Sequence, residues 1–286
     1  MGGTARTALL MGVLTGMLMA IGFIVGYLTD TPVVYTLGAS VIFATIINLT
    51  TYWFADRWVL GLYRARIVTE EEEPVLHKIV ERLSSRAHLP KPKVAVIPVE
   101  TPNAFATGRS PSHSVVAVTQ GAMKLLNEEE LEGVLGHELA HIKNRDMLIN
   151  TLAAIIGAVI SYVMYFSLIG GRRERNDSGG LLALLGLFLI PFCAMLVRLA
   201  ISRGREYGAD EDGAMISKKP LALASALRKI ERAAAGAPLR TGNPSTAPLF
   251  IVNPFRGINL LSLFSTHPPT ELRIKRLEEL SKRIES

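Results

Sequence analysis

The segment His137-Glu138-Leu139-Ala140-His141 places two imidazoles four positions apart, with a carboxylate directly after the first of them. Residues four apart lie on one face of a helix, so a helix here lets both imidazoles reach one metal ion. Neutral imidazole is a common zinc ligand, and catalytic zinc sites combine three protein ligands with a water molecule. Zinc lowers the pKa of that water, and Glu138 can take its proton. The segment predicts a helix with His137 and His141 as metal ligands and Glu138 as catalytic base.

The residues before this segment favour the required helix. Asn127 is a good helix cap, and Glu128 to Glu130 place acids in the first turn, where the helix dipole stabilises negative charge. The alternative is a helix with two exposed histidines beside an unrelated acid, and the well-capped context disfavours it.

The composition indicates a membrane protein. The chain has 286 residues, of which 49% are hydrophobic, and its mean hydropathy of +0.30 is high for a soluble protein. Apolar residues gather in stretches of about twenty, the length that a helix needs to cross a bilayer, and Arg198 is the one charge inside them. We predict four spans, with the first as a retained anchor rather than a cleaved signal peptide. The spans are Thr7–Leu28, Val33–Phe54, Met147–Gly170 and Gly180–Ile201.

Basic residues beside the spans predict the orientation. The formal net charge is +6, and Lys and Arg flank the spans at the amino terminus, around the middle domain and at the carboxyl terminus, which we therefore expect in the cytoplasm. The basic loop at 172–175 contradicts this rule. The alternative stays open that the 147–201 hairpin is partly buried in protein or does not fully cross. Because the basic residues are not interleaved with aromatics, we expect no nucleic-acid partner.

The expected fold class is an α-rich α+β integral membrane protein, with about four transmembrane helices and a cytoplasmic zincin-like protease domain that contains a small β-sheet. The chain divides into four parts: two transmembrane helices (1–56), a first part of the protease domain with the metal-binding helix (57–146), a transmembrane hairpin (147–201) and a second part of the protease domain with the third ligand (202–286).

Local sequence patterns predict the secondary structure of these parts. Thr69 followed by Glu70 to Glu73 predicts a helix start, with a cap residue and acids in the first turn. Short apolar runs at 93–97 and 115–118 predict strands, and 103–108 between them predicts an edge strand. The stretch 237–254 is rich in Pro, Gly and Ser and predicts a loop.

The third metal ligand must come from elsewhere in the chain. The lone cysteine, Cys193, excludes a cysteine zinc site, and His77, His88 and His113 are more typical of solvated positions. Glu206 and Asp210 lie one helical turn apart, so one of them can bind metal while the other orients a ligand. The alternative is a surface helix with an ordinary charge run.

Four motifs together resemble a known family, the HtpX-like membrane metalloproteases, which are relatives of the zinc CAAX prenyl proteases. The resemblance covers most of the chain, and its motifs agree at every metal-site position. The motifs are PNAFATG (102–108), GHELAHIKNRD (136–146), SRGREYGADEDGA (202–214) and STHPPTELRIKRL (265–277).

The resemblance implies one zinc ion per chain, with His137, His141 and Glu206 as ligands. It implies Glu138 as the base and Asp210 as a carboxylate that orients a ligand. It also implies an active site on the cytoplasmic side of a cell membrane and a role in membrane-protein quality control. The expected partners are the lipid bilayer and polypeptide substrates, chiefly misfolded membrane proteins.

Two further roles follow from the same resemblance. Asn103, Ala104, Phe105 and Ala106 resemble the edge strand that pairs with the substrate backbone in such proteases, although an ordinary transition from loop to strand is the alternative. His267 is placed to donate a hydrogen bond to the developing oxyanion, or else only helps to cap the final helix.

Three other functions fit the sequence less well. A protease that cuts inside the bilayer would carry its metal motif within a span, whereas the charged and polar residues 143–146 follow the motif here. A prenyl-protein processing protease needs a large enclosed chamber, for which four spans are few. A non-enzymatic scaffold would have no reason to keep both ligands and the base together. We therefore expect a membrane-anchored zinc metalloendopeptidase.

Overall fold

The computed structural model describes residues 3–152, 203–236, 239, 247, 249–255 and 268–285. Several predictions fall outside these residues: most of the third span, the whole fourth span, the loop at 172–175, Cys193, Arg198 and His267.

Two long apolar helices open the chain, α1 (Gly3–Leu28) and α2 (Val33–Leu62), and they pack against each other. Both are long and apolar enough to cross a membrane. Large apolar side chains on α2 stay exposed, including Phe43 at 56% and Trp58 at 65%. Exposed apolar faces of this kind are expected of helices that contact lipid. Within the described residues, the structure therefore contains two of the four predicted membrane helices.

A small mixed sheet follows, as the sequence predicts. Strand β2 pairs in parallel with β4, while β1 pairs antiparallel with β2 and β3 pairs antiparallel with β4. The strand order β1-β2-β4-β3 leaves β3 at an edge. The strands are β1 (Arg66–Ile67), β2 (Lys93–Ile97), β3 (Ala104–Ser110) and β4 (His113–Thr119).

The helix after β1 begins later than predicted. Helix α3 spans Pro74–Ala87, and the residues from Thr69 form a turn in which the Glu73 amide donates to the Thr69 carbonyl at 3.1 Å. Proline lacks an amide hydrogen and suits the first position of a helix, so the helix starts at Pro74 and not after Thr69.

One helix lies at the centre of the helical part that the structure describes. Nearly every residue of this central helix, α5, is buried, and it packs against α3, α6, α7 and β3. Its apolar residues Val134, Leu135 and Leu139 join the main hydrophobic core. Burial of each such side chain contributes about 1.5–3 kcal/mol. The helices are α4 (Gln120–Leu125), α5 (Glu128–Lys143), α6 (Arg203–Ser217), α7 (Pro220–Gly236) and α8 (Thr270–Glu285).

Candidate active site

The predicted metal-binding segment lies on α5, whose start is held firmly. The Asn127 side chain accepts from the Glu130 amide at 2.9 Å, and the Glu130 carboxylate accepts from the Asn127 amide at 3.0 Å. Such a reciprocal capping box satisfies amides that a helix start leaves free. Glu130 also accepts from Ser225 and Lys229, each at 2.7 Å, which ties α5 to α7. The predicted cap at Asn127 is thus present, and α5 starts at a fixed position.

Two glycines allow α5 and α6 to approach closely. A methyl group on Gly213 would lie 2.6 Å from the Cα atom of His137, and one on Gly136 would lie 2.7 Å from the carbonyl oxygen of Gly213. Both distances are far below van der Waals contact, so a residue without a side chain is needed at each position. This approach brings Glu206, in the first turn of α6, next to the two histidines.

Three buried side chains converge on one point. The Nε2 atoms of His137 and His141 lie 3.2 Å apart. The Glu206 carboxylate lies 3.9 Å from Nε2 of His137 and 3.6 Å from Nε2 of His141. One ligand atom from each residue lies within 4.8 Å of the others, so the group can hold a metal ion. Two imidazole nitrogens and one carboxylate oxygen form a donor set that suits catalytic zinc.

Each histidine meets a carboxylate on its other ring nitrogen. Nδ1 of His137 lies 3.0 Å from Asp210, and Nδ1 of His141 lies 3.3 Å from Asp146. Asp146 in turn accepts from Arg205 at 2.8 Å. A carboxylate behind a metal-binding histidine fixes the ring orientation and makes the ligand more basic. Both Nε2 atoms are therefore held towards the space beside Glu206.

Arg273 is a site residue that the sequence reasoning did not single out. It is 1% exposed, and its guanidinium donates to both oxygens of Asp210, at 2.7 and 2.8 Å. A third bond, of 2.7 Å, goes to the carbonyl oxygen of Ile251. A two-pronged bond of arginine to a carboxylate is strong and directional. Arg273 therefore holds Asp210 behind His137 and also holds the chain at Ile251.

Burial dominates the electrostatics of the site. Desolvation lowers the pKa of His137 to about 4 in spite of Asp210, so this imidazole is neutral at physiological pH. Desolvation also acts on His141, but its bond with Asp146 and the charge of Glu206 outweigh it and raise its pKa to about 9. Burial raises the pKa of Glu138 to about 7. A carboxyl group with a pKa near neutrality both accepts and releases protons readily.

The edge strand β3 and a segment at 249–252 border the site. The Ile251 amide donates to the Ala104 carbonyl at 3.3 Å, and the Asn103 side chain donates to the Val252 carbonyl at 2.7 Å. The predicted edge position of this stretch is thus present, and the chain itself contacts the beginning of the edge. A small cavity at the metal site is lined by Ala106, His137, Glu138, His141, Asn150, Leu249, Phe250 and Ile251.

The predicted substrate-binding residues are not equivalent in the structure. Ala106 lines the cavity, whereas the Phe105 ring packs against Tyr63 and Phe250, with ring centres 6.0 and 5.5 Å away. Phe105 is fully buried in this aromatic cluster. Only its backbone is therefore available to a substrate. His267 lies outside the described residues, so its predicted role stays a prediction.

Comparison with known proteins places the chain in a family. Residues 70–281 match the family described as Peptidase family M48. A protein from Thermococcus sibiricus named Protease HtpX homolog is 51% identical over 287 residues, covering 98% of this chain and 96% of the relative. A protein of the same name from Pyrococcus furiosus is 53% identical, and the match covers 96% of this chain and 95% of the relative. Another from Aquifex aeolicus is 47% identical, and the match covers 94% of this chain and 90% of the relative.

A solved structure shares the fold. The crystal structure of S. mikatae Ste24p aligns with a TM-score of 0.50 at 16% identity, covering 96% of this chain. The chain spans 65% of the length of that protein.

The family match and the two long apolar helices define the class of this protein as a membrane metalloprotease. The three candidate metal ligands and the carboxylate of Glu138 fit that class. The chain belongs to peptidase family M48, and the resemblance to HtpX-like proteases is confirmed.

Proposed function

We propose that this protease is a zinc metalloendopeptidase, with one zinc ion held by His137, His141 and Glu206. The observation that carries the proposal is the convergence of three buried ligand atoms within 4.8 Å, directly beside the carboxylate of Glu138. Both histidines have a carboxylate beside their other ring nitrogen, which orients each ring for metal binding.

The chemistry divides between the metal and the chain. A zinc ion held by His137, His141 and Glu206 would supply Lewis-acid chemistry, which polarises a carbonyl group and lowers the pKa of water. Glu138 accepts a proton from the attacking water and donates it to the amine nitrogen that leaves as the peptide C–N bond breaks. Glu138 is buried and lines the same cavity as His137 and His141, which places its carboxylate beside the candidate ligands. Asp210 and Asp146 keep the two histidines oriented throughout.

The substrate would lie as an extended strand along the outer edge of β3 (Ala104–Ser110), which pairs with no second strand among the described residues. Backbone pairing with an edge strand gives affinity without strict sequence choice, which suits an enzyme that cuts many different chains. Ala106 lines the cavity and its backbone lies close to Glu138, so a paired substrate passes the metal site. Asn103 and Ala104 contact the 249–252 segment, which would have to yield to a substrate that pairs along the whole edge.

We further propose the membrane arrangement that the sequence predicts. Four spans would divide the chain into parts at 1–56, 57–146, 147–201 and 202–286, with the active site facing the cytoplasm. The two long apolar helices with exposed lipid-type faces support the first part. A site beside the membrane surface that reads backbone rather than side chains suits misfolded membrane proteins as substrates, and hence quality control. His267 would donate to the developing oxyanion.

Metal removal tests the proposal. Wild-type protein purified in detergent should carry about one zinc per chain and cleave β-casein, because the donor set matches catalytic zinc. A chelator should abolish cleavage, and added zinc should restore it. Glu206→Gln should lose zinc and activity together, whereas Glu211→Gln, an exposed acid on the same helix, should keep both. Cleavage that resists the chelator, or full zinc in Glu206→Gln, would contradict the proposal.

A further inference from the structure

The side chain of Asn150 stands out among the residues that line the metal-site cavity. It is 7% exposed, and its Oδ1 atom is buried with no hydrogen-bond partner among the described residues. The same cavity is lined by His137, Glu138 and His141. The hydroxyl of the next residue, Thr151, in contrast donates to the Met147 carbonyl at 2.9 Å. Within the part of the chain that the structure describes, the carboxamide oxygen of Asn150 is therefore unpaired at the candidate active site.

An unpaired buried amide oxygen destabilises a folded chain, because it loses its hydrogen bonds to water and gains none in return. A leucine of nearly the same shape would avoid this loss. Groups of this kind in native proteins call for an explanation, and a role at a functional site is one of them. None of the roles assigned so far, metal binding, proton transfer or histidine orientation, uses Asn150.

The position of Asn150 relates it to the substrate strand. It lies one helical turn after Asp146, with its amide bonded to the Asp146 carbonyl at 3.0 Å, and Asp146 contacts His141. The next residue, Thr151, lies 3.5 Å from Thr107 of β3, hydroxyl to hydroxyl. Ala106, the neighbour of Thr107, shares the cavity with Asn150. A chain lying along this part of β3 therefore passes the Asn150 amide.

We propose that Asn150 is a substrate-binding residue, whose side-chain amide hydrogen-bonds a main-chain peptide group of the polypeptide lying along β3. A carboxamide offers both a donor and an acceptor, the same pair of groups that a peptide unit presents. This contact is independent of the substrate's side chains and is made before and during bond cleavage. It rests on the proposed function for its substrate class.

The test compares Asn150→Leu with wild type in β-casein cleavage, with Asn48→Leu as matched control. Asn48 also carries a buried, unpaired Oδ1, but it lies on α2, where its Nδ2 bonds Thr15 of α1 at 2.9 Å. Asn150→Leu should raise KM by roughly three- to tenfold and leave kcat within about twofold, as expected for one lost hydrogen bond made equally in both states. Its zinc content should be unchanged, and its Tm equal or higher. Asn48→Leu should leave KM unchanged.

A binding measurement separates this proposal from the proposed function. Fluorescein-labelled β-casein is titrated with Glu138→Gln protein, and with the same protein carrying Asn150→Leu, and Kd is read from fluorescence anisotropy. The Kd should rise by the same factor as KM. Wild type that binds casein without cutting it would defeat the proposed function, while the two Kd values would still decide the role of Asn150.

Several results would overturn the role of Asn150. They are equal Kd values with an unchanged KM, a large fall in kcat at constant KM, a lower Tm with no change in KM, and the absence of any casein binding by Glu138→Gln.

Discussion

Arg273 and Asp210 form a buried, two-pronged ion pair directly behind His137. The two bonds measure 2.7 and 2.8 Å, and Asp210 lies 3.0 Å from Nδ1 of His137. Both side chains are almost completely buried. Because the same guanidinium also bonds the Ile251 carbonyl, helix α8 holds the metal site and the 249–252 segment at once.

Replacing Arg273 should therefore destabilise the fold. Arg273→Met leaves the Asp210 carboxylate buried without its partner, which costs about 3–5 kcal/mol when one member of a buried pair is removed. The free energy of unfolding in urea measures this change. Arg228→Met is the matched control, since Arg228 pairs with Glu278 at 3.4 Å with both side chains about half exposed. That surface pair should contribute at most about 1 kcal/mol. Equal losses in the two variants would contradict the importance of the buried pair.

Asp146 should govern how tightly zinc binds. Its contact with Nδ1 of His141 orients that ligand, and removal of such a contact typically lowers metal affinity by about 10–100-fold. Competition with a zinc-sensitive dye measures the affinity of Asp146→Asn. Asp212→Asn removes a half-buried carboxylate on α6 that accepts a hydrogen bond from Asn144 at 2.9 Å, and this variant should bind zinc as wild type does. An unchanged affinity in Asp146→Asn would show that His141 needs no such support.

The glycine contact between α5 and α6 should be essential to the metal site. Gly213→Ala would place a methyl group 2.6 Å from the Cα atom of His137, so the helices must separate and carry Glu206 away from the histidines. We expect a loss of about 1–3 kcal/mol in stability together with a loss of bound zinc. Gly208→Ala on the same helix meets no atom within 4 Å and should be neutral or stabilising by up to about 1 kcal/mol. Zinc content and Tm of the two variants decide the matter.

The charge on Glu130 should make stability depend on pH. Burial opposes ionisation, but bonds from Lys229, Ser225 and Asn127 together keep the pKa of Glu130 below its ordinary value. A carboxyl group with a lowered folded pKa adds stability above its unfolded pKa and loses it as pH falls through the folded pKa.

Glu130→Gln keeps the shape of the cap without the charge, so it isolates this effect. It should be less stable than wild type near pH 7, and the difference should shrink as pH falls below the ordinary range of a glutamate. Urea unfolding at several pH values measures it. Glu128→Gln, an exposed acid in the same turn, should show a much smaller change. A difference that is constant over the whole pH range would refute the electrostatic account.

Much of the site was predictable from sequence because its geometry is local. His137 and His141 lie one helical turn apart, and the capped start at Asn127 is encoded within a few residues. The placement of Glu206 and Asp210 beside them came from the motif, because no periodicity specifies which distant helix approaches α5. The glycines that permit this approach, Gly136 and Gly213, carry no such signal on their own.

The role of Arg273 was not predicted from the sequence. This residue lies 63 positions from Asp210, inside a helix whose charges alternate as on a solvated surface. A signal was nevertheless present, because Arg273 falls at helical spacing with Leu277 and Leu280, which are both buried. An arginine on the apolar face of a helix predicts a buried partner. The predicted start of helix α3 was wrong for a different reason. The helix begins at Pro74, which suits the first helical position, and not after the predicted cap at Thr69.

The most direct test of the whole account is zinc content and β-casein cleavage in Glu138→Gln beside wild type. The variant keeps the three ligands and removes only the proton acceptor. We predict about one zinc per chain in both proteins, with cleavage in the wild type alone, lower by at least about a hundredfold in the variant. Cleavage by Glu138→Gln at the wild-type rate with zinc bound would contradict the assignment of Glu138 as base, and with it the proposed chemistry of the site.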